Sequence, residues 1–317
     1  MDSISKRLPQ GDLEPVGPSL TVVMPAHNEE RTIAAAVEQI LAVNLGFRLQ
    51  LVVVDDGSSD GTSSILGSFA DPRLTVRRHE VNQGKGAAVL TGVALAECSH
   101  VVVFDADSEY EATDLVRMFQ TIVSGQADVV YGARLFGSHT LYPSFRYAMG
   151  NRVTTFVANL IFDSYLTDLH TCLKMLPTEL FRSLELTETG FGLDSEITGE
   201  VLRRGYRPFE VPISYVGRTR GEGKKITARD GIECLRVLVR VRLRGRMDLQ
   251  PTGRVSRKVA PNHPSLHALG QLPWRGVDRR RNSDQASRAL LEVNGMSERR
   301  ESGRRKADGG SRAEASA

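Results

Sequence analysis

Short apolar runs alternate with segments of helical period from Leu20 onward. LTVVMP, LQLVVVDD and LTVRRH read as strands, with the helical pattern EERTIAAAVEQILA after the first and a helix over about 62–69 after the second. The series continues with a helix over about 86–96, the strand HVVVFDAD, a helix over 113–123 and the strand ADVVYGAR. This alternation predicts an α/β domain with a mixed, mostly parallel central sheet. The first strands are apolar almost throughout, as strands covered on both faces must be. After Arg134 the pattern changes to a helix over 144–162, an extended CLKML segment, a helix over 194–204 and the run RPFEVPISYV. Beyond about Arg246 periodicity fails. Residues 248–317, rich in Arg, Ser, Gly and Glu, have little to bury and are expected to form a disordered basic tail. Residues 1–18 read as a flexible leader, which leaves one domain over 19–247, divided into halves at 19–134 and 135–247.

At 40% hydrophobic and 25% charged, the 317-residue chain has enough apolar material for a large core. The net charge of +3 is uneven: fourteen basic against seven acidic residues give 251–317 a charge of +7, leaving −4 for the rest. Cys98, Cys172 and Cys234 are odd in number and unpaired in spacing, against a disulfide framework or a zinc site and in favour of a reducing, cytoplasmic setting. The longest apolar stretch, 153–162, falls well short of the ~20 residues of a membrane span. Phe145, Met149, Val153, Phe156 and Leu160 nevertheless recur at helical spacing, with Arg146 and Arg152 off that stripe. Such a face either packs into a core or lies on a membrane, peripherally.

Candidate chemistry gathers at the carboxyl ends of the strands, where open α/β sheets bind ligands. Asp105 and Asp107 close the strand HVVVFDAD, with Glu109 two residues on. Carboxylates at i and i+2 of a strand end share a side and suit Mg²⁺ or Mn²⁺, although strand-end aspartates also cap turns. Asp55 and Asp56 end another strand, before a Gly-bearing turn, and could hydrogen-bond a base or ribose. PAHNEE puts Glu29 at the crevice edge, with Asn28 as a helix cap. NQGKGA presents Lys85 at a helix start suited to phosphate, without P-loop spacing. Further along, GRTRGEGKKI sets Arg218, Lys224 and Lys225 among glycines, as a mobile cationic loop over phosphates requires.

PAHNEE, DDGSSDGT, NQGKGAA and DADSE, in this order, resemble the signature of family 2 glycosyltransferases with the GT-A fold, a Rossmann-like nucleotide-sugar-binding arrangement. YGAR, TDLHTCLKMLP, GFGLDSEI and EVPISYVGRTRGEGKKITARDG extend the likeness to the bacterial polyprenyl-phosphate and dolichol-phosphate sugar synthase group, over about residues 20–240. The resemblance implies inverting transfer from a UDP-, GDP- or dTDP-sugar to a lipid phosphate at the inner face of the membrane. It assigns Pro25, Ala26, Glu29 and Asp56 to the nucleotide, with Lys85 near its ribose or phosphates, and Asp105 and Asp107 to the metal, with Glu109 able to complete the shell. Arg134 would face the phosphates, and Arg218, Lys224 and Lys225 would close over donor and acceptor. His170 and Leu173 depart from the pattern, where many relatives carry Glu and an aromatic, and leave Asp168 as the candidate catalytic carboxylate there. His170 could act as a base.

An anionic acceptor needs positioning cations more than a base, which fits the basic closing loop. The alternatives are a soluble family 2 enzyme acting on a hydroxyl, or a degenerate transferase domain used as a binding module. The tail's arginines alternate with acids and lack aromatic partners apart from Trp274, against nucleic-acid binding. PAHNEE in place of GxGxxG argues against a dinucleotide-dependent oxidoreductase.

Overall fold

The computed structural model describes residues 17–135, 140–142, 144–218 and 228–245. Its frame is a seven-stranded sheet of order β3-β2-β1-β4-β7-β5-β8. β1 (Leu20–Ala26), β2 (Leu49–Asp55), β3 (Leu74–Arg78) and β4 (His100–Val103) run parallel. β5 (Val130–Ala133) is parallel to β8 (Phe209–Pro212). β7 (Lys174–Pro177) lies antiparallel between β4 and β5, so the sheet is mixed and mostly parallel, as its sequence pattern predicts. A small parallel pair, β6 (Thr140–Leu141) with β9 (Tyr215–Val216), stands apart from it.

β1 and β2 are buried along nearly their whole length, which is why their sequences do not alternate. β3, an edge strand, is largely exposed. The helices after β1, β2 and β3 are α1 (Ile33–Leu41), α2 (Thr62–Leu66) and α3 (Lys85–Ala94), and α4 (Asp114–Val123) follows β4. In register, Val23 pairs with both Val52 and Val103, and Ala26 with Asp55. That alignment brings the loops after β1, β2 and β4 to one edge of the sheet, where the site is built.

The second half contributes α5 (Phe145–Phe162), α6 (Thr178–Ser183), α7 (Leu193–Arg203) and α8 (Ala228–Leu243). α8 is absent from the sequence reading, although Cys234, Val237, Leu238 and Val241 recur at i, i+3, i+4 and i+7 and are its buried face. It packs against α5 and α7. On α5 the apolar stripe faces outward: Phe145 is 78% exposed, Phe156 67% and Leu160 73%, whereas Asn151, Thr154, Thr155 and Ala158 are buried. A core role for the stripe is therefore excluded. Asn28 is not the cap of α1. It sits at φ 57°, and its side-chain oxygen accepts from Ser59 N at 2.8 Å in the neighbouring loop. Residues 1–16 of the leader, the tail beyond residue 245, and Lys224 and Lys225 fall outside the described residues.

Candidate active site

A cavity of about 1260 Å³ opens at the carboxyl edge of β1 and β4 and extends under α5, α7 and α8. Its acidic corner comes from two loops. The β1–α1 loop supplies Glu29, whose backbone N–H donates to Thr62 Oγ1 at 2.9 Å and whose carboxylate accepts from Thr32 Oγ1 at 2.8 Å. The segment after β4 supplies Asp105, Asp107 and Glu109. Lys85, the first residue of α3, reaches Asp105 with Nζ 2.8 Å from Oδ1 and 2.9 Å from Oδ2. Burial opposes the Lys85 charge, but Asp105 beside it holds the ammonium firmly protonated.

Arg218 lies over the remaining acids. Its Nη2 donates to Asp107 Oδ2 at 2.7 Å, its backbone N–H donates to Glu109 Oε1 at 2.7 Å, and Nη1 is 3.7 Å from Glu29. The sequence places Arg218 over phosphates; the structure seats it on the carboxylates instead. Even so, four acids face two cations. Burial, then the charges of Asp105 and Glu109, push Asp107 up to about 7 despite Arg218. A cluster with that deficit of positive charge fits a hard divalent cation. Among the described residues no three Asp, Glu, His or Cys side chains form a metal-holding group, so such a cation would rest on Asp105 and Asp107 and take other oxygens from ligand and water.

Asp55 and Asp56 stand behind the lining rather than in it. Asp55 is buried. Its carboxylate accepts from Ser58 N at 2.9 Å and from the Ser63 hydroxyl, and these bonds outweigh burial to hold it below the usual range. Asp56 accepts from Gln83 N (2.9 Å), Gly84 N (2.8 Å) and His79 Nδ1 (2.7 Å). It thereby ties β2 to the turn that presents Lys85. That turn is fitted closely: Gly84 has φ 95°, and a Cβ on Gly86 would meet Glu188 O at 2.1 Å. Pro25 and Ala26 end β1 and are also absent from the lining.

Arg134, just after β5, lies at the floor, and Asp168, before β7, stands behind it. Arg134 Nε and Nη2 donate to Asp168 at 2.6 and 2.7 Å, Asn151 Nδ2 on α5 adds 2.8 Å, and the guanidinium lies 4.8 Å from the Tyr215 ring centre. Asp168 is fully buried and does not line the cavity. Burial would raise it, but Arg134 and Asn151 hold it below the ordinary range. Asp168 is thus a counter-ion that orients Arg134, not a carboxylate that meets an acceptor. His170 shares a 2.8 Å hydrogen bond with Thr154 Oγ1 and is pushed down to about 4 by burial, so it stays neutral near pH 7.

Two features have no counterpart in the sequence reading. Asp194, in the first turn of α7, lines the cavity and accepts from the buried Lys174 Nζ at 2.7 Å. It lies within the GFGLDSEI motif, whose acids were the available signal. An aromatic wall of Tyr110, Tyr142 and Tyr215 backs Arg134, with ring centres 5.4 and 5.7 Å apart, and Tyr215 OH donates to Glu109 Oε2 at 2.8 Å.

Residues 21–184 match the family model described as glycosyl transferase family 2. The chain is 29% identical over 219 residues to glycosyltransferase AglJ of Haloferax volcanii, covering 68% of this chain and 70% of that protein. It is 27% identical over 227 residues to the low-salt glycan biosynthesis hexosyltransferase Agl6 of the same organism, covering 71% of this chain but 54% of that one. Among solved structures it resembles glucosyl-3-phosphoglycerate synthase from Mycobacterium tuberculosis in complex with Mn²⁺, UDP and phosphoglyceric acid. The TM-score is 0.55 at 20% identity, over 71% of this chain and 79% of that chain, a likeness of fold.

Proposed function

The chain belongs to glycosyl transferase family 2 and has the GT-A fold, and from that premise we propose that it transfers a sugar from a UDP-, GDP- or dTDP-sugar to a polyprenyl-type lipid phosphate at a membrane's cytoplasmic face. The observation that carries the acceptor class is the state of the deeper carboxylates: Asp168 and Asp194 are each spent on a cation, Arg134 and Lys174. With His170 neutral and weakly basic as well, none of these three described residues is left as a strong base. An acceptor that is already an anion needs none.

In the reaction, an acceptor phosphate oxygen attacks the anomeric carbon as the bond from that carbon to the donor's diphosphate oxygen breaks. Configuration inverts, the nucleoside diphosphate leaves with the bonding pair, and no proton has to move. Asp105 and Asp107 would hold Mg²⁺ or Mn²⁺, which supplies Lewis-acid neutralisation of the leaving diphosphate, while the Glu109 carboxylate is held by Tyr215 OH and the Arg218 N–H. The structural neighbour's complexes with Mn²⁺ or Mg²⁺ and UDP support that choice of ion. Glu29 would meet the nucleotide, with Pro25, Ala26, Asp55 and Asp56 shaping the crevice behind it, and Lys85 would exchange Asp105 for a phosphate oxygen. Arg134, fixed by Asp168 and Tyr215, adds positive charge for the acceptor. Arg218 would turn from the acids to the phosphates when the donor arrives, with Lys224 and Lys225 beside it in sequence.

A second reading has one observation in its favour: Asp194 faces the cavity with 22% of its side chain exposed, where a base for a hydroxyl acceptor could stand. Its pairing with Lys174 weakens it as a base. Incubation with UDP-, GDP- and dTDP-sugars and Mg²⁺ or Mn²⁺, with and without polyprenyl phosphate, separates the two. Release of nucleoside diphosphate that depends on the lipid phosphate is expected. Release that requires a non-phosphorylated alcohol or sugar instead would replace the first reading by the second.

A further inference from the structure

α5 is amphipathic in the wrong sense for a helix surrounded by water. It buries Asn151, Thr154 and Thr155 and exposes Phe145, Met149, Val153, Phe156 and Leu160. At 3.6 residues per turn those five side chains fall within about 80° of one another, and Arg146 and Arg152 stand about 20° outside opposite edges of the stripe. Both arginines are exposed, and the 18 residues of α5 contain no acid. α8, packed against α5, adds the exposed Ile232, Val239 and Leu243 along one side, next to Arg236 and Arg240, which pair with Glu233 at 3.4 Å and with Glu188. Met149, Val153 and Ile232 are at once exposed and part of the cavity lining, so the apolar surface runs into the cavity's rim.

We propose that the outer face of α5, continued by Ile232, Val239 and Leu243 of α8, is a docking surface for an anionic lipid bilayer. On α5, apolar side chains flanked by Arg146 and Arg152 with no carboxylate match the layered chemistry of acyl chains beneath negatively charged headgroups, and on α8 Glu233 is paired with Arg236. A second copy of the chain would bring arginine against arginine across a shared α5 face. Because the stripe reaches the cavity rim, docking there places the active cavity's mouth on the membrane, where a lipid-borne phosphate enters without leaving its leaflet. The choice of a bilayer over another apolar partner rests on the lipid-phosphate reading.

The test is flotation of the full chain with vesicles of phosphatidylcholine alone and with about 30% phosphatidylglycerol. Three proteins are compared: wild type, Phe156→Glu/Leu160→Glu and Arg152→Gln. Neither Phe156 nor Leu160 lines the cavity, so nucleoside diphosphate binding by calorimetry should stay unchanged and report an intact fold. The double variant should bind anionic vesicles at least about ten-fold more weakly, and Arg152→Gln should lose affinity only for the anionic ones. Flotation of the double variant equal to wild type would overturn the proposal, as would absence of wild-type flotation. A dimer that the double variant dissociates, with vesicle binding unchanged, would assign the face to a second copy and overturn it as well. Transfer to lipid phosphate dissolved in detergent is scored separately. Its absence in every protein, beside wild-type-specific flotation, would sink the acceptor assignment and leave the docking face standing.

Discussion

Asp168→Asn separates an orienting carboxylate from a catalytic one. The substitution keeps the side chain's shape but removes its charge and points an amide N–H₂ group at donors that now converge on oxygen. Arg134 Nε and Nη2 at 2.6 and 2.7 Å, and Asn151 Nδ2 at 2.8 Å, would face a group able to satisfy only part of their demand. Asp168 is fully buried and Arg134 has 10% of its side chain exposed, so the stranded guanidinium would have little water to turn to. Breaking a buried pair from one side costs roughly 3–5 kcal/mol. For a domain of this size that corresponds to a fall in Tm on the order of 10 °C. The pair's sign in pH follows from the depressed carboxyl: its contribution is full above the ordinary value of 3.8 and is lost as pH falls through the lower folded value. Urea unfolding of wild type, Asp168→Asn and the isosteric apolar pair Arg134→Met/Asp168→Leu is the assay. The single substitution should cost more than the double, because the double leaves no buried charge unpaired. Loss of transfer in Asp168→Asn with stability within about 1 kcal/mol of wild type would refute this reasoning and restore Asp168 as a reacting group.

Three further outcomes follow from the same geometry. Asp107→Asn should abolish transfer and flatten the pH dependence of the metal-free protein's stability between the ordinary carboxylate value of 3.8 and about 7, where wild type loses stability as pH rises because the folded state holds the proton longer; thermal melts across that range read it. Gly86→Ala should destabilise although Ala normally gains about 1 kcal/mol over Gly in a helix, since its Cβ would meet Glu188 O at 2.1 Å and Thr189 Cα at 2.7 Å; a raised Tm would show that the turn yields freely. Arg218→Ala should bind Mn²⁺ alone more tightly, as a competing cation is gone, yet transfer on the order of 10² more slowly; manganese titration by electron paramagnetic resonance beside steady-state rates checks both, and unchanged Mn²⁺ affinity would contradict the seat assigned to Arg218.

The sheet's parallel half was legible because β1, β2 and β4 carry nearly unbroken apolar runs, with acids at or soon after their carboxyl ends. Asp105, Asp107, Glu109, Glu29 and Lys85 converge for the same reason: each sits within a few residues of a strand end on one edge. Pairings across the second half were not legible. Arg134 meets Asp168 only because β7 inserts antiparallel between β4 and β5, a register no local pattern encodes. Asp55 and Asp56 have the residue types of a binding loop, yet Ser63, His79 and the 83–84 backbone take up their oxygens. On α5 periodicity reveals a stripe without revealing which way it points, and its buried polar face reverses the usual assumption. α8 went unread beside the glycine- and lysine-rich segment before it, although the domain read as ending at 247 encloses it.

The acidic corner of the cavity is proposed to receive a nucleoside diphosphate through a divalent cation. Calorimetric titration of the full chain with UDP and with GDP, each with Mn²⁺ and with a chelator, measures it directly. Binding of at least one nucleotide that is strong with Mn²⁺, about a hundred-fold weaker with chelator, and equally weak in Asp107→Asn under both conditions is the predicted result. Nucleotide affinity that is the same with Mn²⁺, with chelator and in Asp107→Asn would contradict it.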